Sequence, residues 1–425
     1  MDKGKEWYKL DLSAIVYPTL QRKDFSSVYR LSALMKEEVD PNVLQQAVDL
    51  ALPRFPTYKA AIRKGVFWRY LEPNHRPGPF VQPDIKNPCM PMSFKANNRY
   101  LLRIYYYGRR ISLEAHHSLG DGTGGMAVLH TIIAQYLGLL GHPIKPEGLV
   151  MDVNAAPDPE ELEDAYMRYA NAKVRPPRPQ EPTYRVRGTK EPFYTLNIID
   201  GIMSTQEVLR VAKSYKVTIT EYLNAVLIYA LLQRQLEEKP HRLRPVKIAM
   251  PVNLRRFFPS KTLRNFITMI YPGVDPRLGD YTFEEIVEHV HRYMQFYINE
   301  KSLRGDITTN AATQSHPIIR VVPLFIKDVV VRSFYSRVQD RNSSAGLTNM
   351  GSLFVPEDMR PFIERFDINM GQPFSSRTNC AIISFGDVMT INFASSIVEA
   401  DVERNFFCKL VQDGIHVKIE TNRDV

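Results

Sequence analysis

Two adjacent histidines, His116 and His117, sit in the stretch LEAHHSLGDGTGG at residues 113–125, and Asp121 follows them among glycines. Four chemistries use such residues. A metal site takes imidazoles and a carboxylate; a phosphate loop takes glycines opening a helix; a tight corner takes glycines for geometry alone; and a general base takes one neutral imidazole. The histidines end a segment with strand character, where neighbouring side chains point to opposite faces. His116 and His117 therefore cannot both reach one small ion, and helical zinc pairs are spaced four apart for that reason. The glycines match neither the P-loop, which needs a Gly-Lys-Ser/Thr end, nor GxGxxG. An anion at a helix start opened by Gly124 and Gly125 stays open as a reading, as does a purely structural corner.

The acid–base reading uses the alternation directly. One histidine faces a channel and takes a proton; its neighbour faces the core. A neutral imidazole is a competent base near pH 7. In this reading Asp121 braces the loop by pairing with an arginine of another part of the chain, and Gly122 leaves space for a substrate beside the base.

The elements around the stretch support a strand–loop–helix junction. Residues 99–117 read as a hairpin turning near Gly108. Met126, Leu129, Ile133, Leu137 and Leu140 repeat at helical spacing, and Gly141 and Pro143 end that helix. Upstream, residues 26–37 read as a strand, and Asp40-Pro41 starts a helix with an apolar face at Leu44, Ala47, Val48, Ala51 and Leu52. Residues 58–73 read as a hairpin turning at Lys64 and Gly65. A proline-rich loop follows over 73–91.

Residues 151–190 are rich in proline and charge, with one short helical pattern and no evident core face. They are expected to link a first lobe, 1–150, to a second, 191–425. Capping boxes are expected at Ser204–Glu207 and Thr218–Glu221. Strands are expected near 244–255 and 264–274, a helical region over 282–337, and then two strands, a hairpin and a helix from about Val402. A weak internal echo sets residues 101–117 over 380–396, with His116 and His117 over Ser395 and Ser396.

At 425 residues and 44% hydrophobic content the chain can bury a large core. Its net charge of +9 suits anionic partners, although no nucleic-acid signature is present. Three dispersed cysteines without a CxxC pair argue against a disulfide framework or a zinc ribbon. Residues 1–13 lack the apolar core of a secretory leader, and a cytoplasmic location is expected. The longest apolar stretch, 317–335, is broken by Arg320, Lys327 and Arg332. It reads as amphipathic helix packed on the core, with shallow contact to a membrane surface or apolar substrate as the second reading.

The segment HHSLGDG resembles the HHxxxDG motif of the acyltransferase superfamily related to chloramphenicol acetyltransferase, which includes condensation domains of nonribosomal peptide assembly, plant BAHD enzymes and alcohol acetyltransferases. Residues 28–56 look like its opening strand and helix, 247–266 like a later strand and turn, and LTNMGSL at 347–353 like its crossover strand. The DFGWG segment of the plant branch is missing, with INMGQPF at 368–374 near its place, and the chain is most similar to bacterial alcohol acetyltransferase-like proteins.

The resemblance implies a two-lobed α/β (α+β) fold, each lobe a mixed sheet flanked by helices, with an active-site tunnel between lobes. It implies an acyltransferase that moves an acyl group from acyl-CoA or a phosphopantetheinyl thioester to an alcohol or amine, with no bound cofactor, no metal and no acyl-enzyme. His117 is then the base, His116 structural, Asp121 a brace and Gly122 a gap. By analogy of position, Thr348 and Asn349 are oxyanion candidates, and Arg255, or alternatively Arg256, is the partner of Asp121. The implied partners are a small-molecule acceptor and a thioester, with an acidic carrier protein as a variant; no nucleic acid and a monomer are expected. The competing readings are a condensation-type enzyme on carrier-bound substrates, a non-catalytic protein of the same fold, and a metal-dependent hydrolase. A serine hydrolase is disfavoured because GxSxG is absent.

Overall fold

A computed structural model describes residues 7–21, 25–170, 181–315, 321–337, 342–371 and 376–423. Two main sheets carry the fold. The first runs in the order Ile363–Met370, Val28–Met35, Arg110–His116, Leu102–Tyr107, Val81–Pro83, antiparallel except at its last pair. Helices Pro41–Ala51 and Gly122–Leu139 pack against it. Leu44, Val48, Met126, Leu129 and Ile133 close on Leu31, Ala33, Leu113 and Ala115. Asp40 caps the first helix, accepting from the Asn42 and Val43 amides. Gly108 (φ 52°) makes the hairpin turn and Gly141 (φ 92°) ends the second helix, both in the left-handed region that glycine alone enters cheaply. Leu140, expected on the apolar helix face, falls beyond the last helical residue and is exposed.

The second sheet runs Ile267–Ile270, Val246–Asn253, Ala345–Ser352, Thr378–Phe385, Val388–Ser395, Asn197–Ser204, Lys418–Thr421, with Gly273–Val274 also pairing the Val246–Asn253 strand. Ala345–Ser352 is parallel to both neighbours, so this sheet is mixed. Helices Ile219–Glu237, Phe283–Tyr297 and Asp401–Gln412 contribute the apolar side chains that cover it. Thr218 and Glu221 form a full capping box. Ser204 caps its helix too, but Glu207 turns away to His416, so the reciprocal half of the expected box is absent there.

Three features differ from expectation. Described residues within 151–190 do reach a core: Ala165, Tyr166, Tyr184 and Val186 are buried in the second lobe. They are too unevenly spaced to leave a periodic signature. Second, the strand Ile363–Met370 is the edge partner of Val28–Met35, so the first sheet is completed from late in the chain. It also touches the second lobe, where Thr390 donates to the Phe366 carbonyl (2.9 Å). Third, helix Leu324–Arg337 turns apolar side chains outward rather than into a core; Arg320 lies outside the described residues. Among the described residues, no helix is long and apolar enough to cross a membrane.

Candidate active site

His116 and His117 leave the Arg110–His116 strand in different environments. The His117 amide donates to the Ser27 carbonyl (2.8 Å) and the His116 amide to that of Leu101 (2.9 Å), so both positions are pinned by backbone. The His116 ring is fully buried, edge-on to Phe94 (centroids 5.4 Å), and its Nδ1 accepts from the Ser118 amide (3.2 Å). Burial, with a smaller contribution from His117, lowers its pKa to about 3. It is a neutral core residue in this arrangement.

The His117 ring lies between two tyrosines, stacked on Tyr17 (4.9 Å) and tilted against Tyr29 (4.6 Å). The residue keeps partial solvent access, while its Nδ1 is enclosed and has no hydrogen-bond partner among the described residues. Burial lowers its pKa to about 4; Asp121, the Asn265 side chain and the Gly120 backbone work the other way. Asn265 Nδ2 also holds the His117 carbonyl (2.8 Å) and the buried Asp11 carboxylate (3.0 Å). The ring is thus neutral at pH 7, yet surrounded by groups that favour its protonated form.

Asp121 joins the lobes. One oxygen caps helix Gly122–Leu139 through the Thr123 (3.1 Å) and Gly124 (3.4 Å) amides. The other accepts from Arg255 Nη1 (2.8 Å) and the Phe266 amide (2.9 Å). Arg255 spends its remaining donors on the Thr262 carbonyl (2.8 and 3.0 Å), the Arg264 carbonyl (2.6 Å) and Asn253. The structure therefore brings Asp121 together with Arg255. Arg256 is exposed, with its Nη2 near Gly351. A charge pair so fully hydrogen-bonded acts as a brace rather than as a proton carrier.

The glycines answer to packing. A Cβ on Gly120 or Gly124 would run into the Tyr58 hydroxyl and the Leu263 carbonyl, and one on Gly125 into the Tyr29 hydroxyl. Gly122 departs from expectation. The space beside it is taken by Met350, whose sulfur lies 2.6 Å from where a Cβ would stand. The glycine admits the thioether from the second lobe, and the open gap expected there is filled.

Thr348, Asn349 and Met350 belong to the crossover strand Ala345–Ser352. Asn349 donates to Thr220 Oγ1 (3.0 Å) and accepts from the Gly351 amide (2.8 Å), so its amide group is committed within the second lobe. Thr348 is partly exposed on the same strand. Tyr17, Tyr29 and Asn265, which surround His117, were not identified from sequence; aromatic and amide residues far apart in the chain carry no local signature. No group of three His, Cys, Asp or Glu side chains suited to a metal ion occurs among the described residues.

Two measurements check this geometry. Asp121→Ala leaves Arg255 buried without its carboxylate and should lower unfolding free energy by about 3 kcal/mol. Combining it with Arg255→Met should cost clearly less than the sum of the single changes in urea titrations; additive effects would remove the brace. Gly124→Ala places a methyl group against backbone and should cost roughly 2 kcal/mol or more. An unchanged denaturation midpoint would contradict the close approach.

No protein-family model and no curated protein sequence matches the chain. Solved structures do. Polyketide synthase associated protein 5 from Mycobacterium tuberculosis is similar at 14% identity, covering 95% of this chain and 98% of that one, with a TM-score of 0.58. Trichothecene 15-O-acetyltransferase from Fusarium sporotrichioides is similar at 11% identity (96% and 94% covered, TM-score 0.59). The starter condensation domain of rhizomide synthetase, solved as a mutant with C8-CoA and Leu-SNAC, gives 11% identity, the same coverage and a TM-score of 0.59. Near-complete coverage in both directions, together with two helix-flanked mixed sheets, identifies the architecture: the chain has the two-lobed fold of these acetyltransferase and condensation-domain structures.

Proposed function

We propose that the protein is an acyltransferase that moves an acyl group from a thioester to an alcohol or amine, with His117 as general base. The observation that carries this reading is the His117 ring: neutral, held between Tyr17 and Tyr29, and set beside a carboxylate that braces the two lobes. Nε2 is the nitrogen left to face an acceptor, since Nδ1 is enclosed. It removes the proton of the acceptor hydroxyl or amine as that heteroatom attacks the thioester carbonyl. Asp121, Asn265 and the Gly120 carbonyl stabilise the imidazolium that forms. The tetrahedral intermediate then expels the thiolate, which takes the proton back from His117. Both substrates are held at once, so proximity replaces an acyl-enzyme.

Within this reading Thr348 is the better oxyanion donor candidate, because the Asn349 amide is already engaged. His116 serves structure, Asp121 adds to its bracing role a charge that favours the imidazolium, and Gly122 with Met350 sets the space beside the base. The donor is acyl-CoA or a carrier-bound phosphopantetheine. The surplus of positive charge suits either. The solved neighbours include an O-acetyltransferase and a condensation domain, which supports acyl transfer as the general chemistry and leaves alcohol acetyl transfer as the specific form to test.

A screen of acyl-CoAs and acyl-pantetheines against alcohols and amines, read by mass spectrometry, finds the substrates. His117→Ala should then lose at least about 10²-fold in kcat; a variant near wild-type rate ends the base assignment. Protonation inactivates a base, and burial has moved His117 down to about 4. The acidic limb of kcat/KM should accordingly fall near pH 4, with a flat profile between pH 5 and 8; a limb at about 6.5 would show an unperturbed imidazole. Thr348→Ala should lower kcat by about 10²-fold with little change in KM, as expected for a donor to the transition state; a change confined to KM would place Thr348 in ground-state binding.

A further inference from the structure

Helix Leu324–Arg337 carries an apolar face that no described residue covers. Phe325 is 71% exposed and Val329 64%, and Ile326 and Val330 are exposed beside them. These four positions fall on one side of the helix at i, i+1, i+4 and i+5. The other side meets the protein. Asp328 is held there by both guanidinium nitrogens of Arg69 (2.6 and 2.9 Å) and by the Thr19 hydroxyl (2.9 Å). The helix is therefore docked firmly, with its oily side outward.

The face does not stop at the helix. The tip of the hairpin Ala60–Lys64 to Arg69–Pro73 lies against its start, where the Leu324 amide donates to the Val66 carbonyl and Lys327 Nζ to that of Phe67 (both 2.8 Å). That tip is itself apolar: Val66 is 70% exposed, Trp68 53%, and Phe67 is exposed beside them. A continuous patch built from two elements exceeds the scattered apolar exposure of an ordinary surface.

Charge decides what covers it. Residues 60–73 and 321–333 carry five basic side chains against two acidic ones, and both acids, Glu72 and Asp328, are ion-paired with arginines. Lys64 and Arg332 stand exposed at the margin. An aromatic and aliphatic face with a tryptophan at its edge and a basic rim matches the boundary of an anionic bilayer, where apolar side chains enter the acyl region and cations meet headgroups.

We propose that this patch docks the protein onto an anionic lipid bilayer. Its position connects it to the candidate site. Arg332 donates to the Thr19 carbonyl (2.7 Å), in the turn Tyr17–Leu20 whose Tyr17 stacks on His117. Docking thus sets the base two short contacts from the lipid surface. The assignment concerns binding and is read without turnover, so it stands or falls apart from the acyl-transfer reading.

The chain has two tryptophans, Trp7 and Trp68. In a Trp7→Phe background, emission reports Trp68 alone. Adding phosphatidylcholine vesicles containing phosphatidylglycerol should shift that emission to the blue and carry the protein up in flotation; pure phosphatidylcholine should bind much less, and high salt should weaken the interaction. Phe325→Asp with Val329→Asp should reduce flotation at least about tenfold, with an unchanged melting curve because both sites are exposed. The proposal is overturned by no partition onto anionic vesicles by the unaltered protein, including the case of a concentration-dependent dimer that the paired substitutions abolish while vesicle binding stays absent. Equal binding by the substituted and unaltered proteins would likewise remove this face from the interaction.

Discussion

Asp121 accepts four N–H groups, two from the start of its own helix and two from the other lobe. That single carboxylate fixes where helix Gly122–Leu139 begins, and the helix start fixes the loop that presents His117. Its partner Arg255 is equally saturated by the Thr262 and Arg264 carbonyls. The segment around Leu263, between strands Val246–Asn253 and Ile267–Ile270, is thereby pressed onto the loop so closely that Gly120 and Gly124 cannot carry side chains. A buried pair of this kind contributes little net stability against an apolar alternative, but it specifies geometry, because no other register satisfies every donor.

The two histidines show how burial divides one residue type into two roles. Both rings are kept neutral by desolvation. His116 has no nearby group that would welcome its protonation. His117 has three, and they are oriented before any substrate arrives. A proton arriving on His117 therefore meets a prepared environment, whereas one on His116 meets burial with no compensating acceptor among the described residues.

Much of this was legible in the sequence, and the reasons are local. The hairpin at Gly108, the helix capped by Asp40 and the box at Thr218 are written in neighbouring residues. The separation of His116 from His117 follows from strand alternation alone. What escaped comes from far along the chain. Met350 reaches Gly122, and Asn265 reaches His117, through tertiary packing that no spacing records. Buried Tyr166 sits in the five-residue helix Ala165–Tyr169 and Tyr184 in irregular backbone, and neither stretch is long enough to show a period. Helix Leu324–Arg337 shows a further limit: amphipathic spacing reveals that a helix has an apolar side but not whether that side faces a core.

The edge partnership of Val28–Met35 with Ile363–Met370 has a consequence for biosynthesis. Strands Leu102–Tyr107 and Arg110–His116 leave the ribosome early, yet their sheet lacks its last strand until roughly 250 more residues have followed. At about 5–20 residues per second, that leaves the Val28–Met35 edge bare for some tens of seconds. An unpaired edge is a template for pairing with other chains. Nascent copies on one message thus spend that interval within reach of one another, and the protein's yield in a cell rests on what shields a single strand during it.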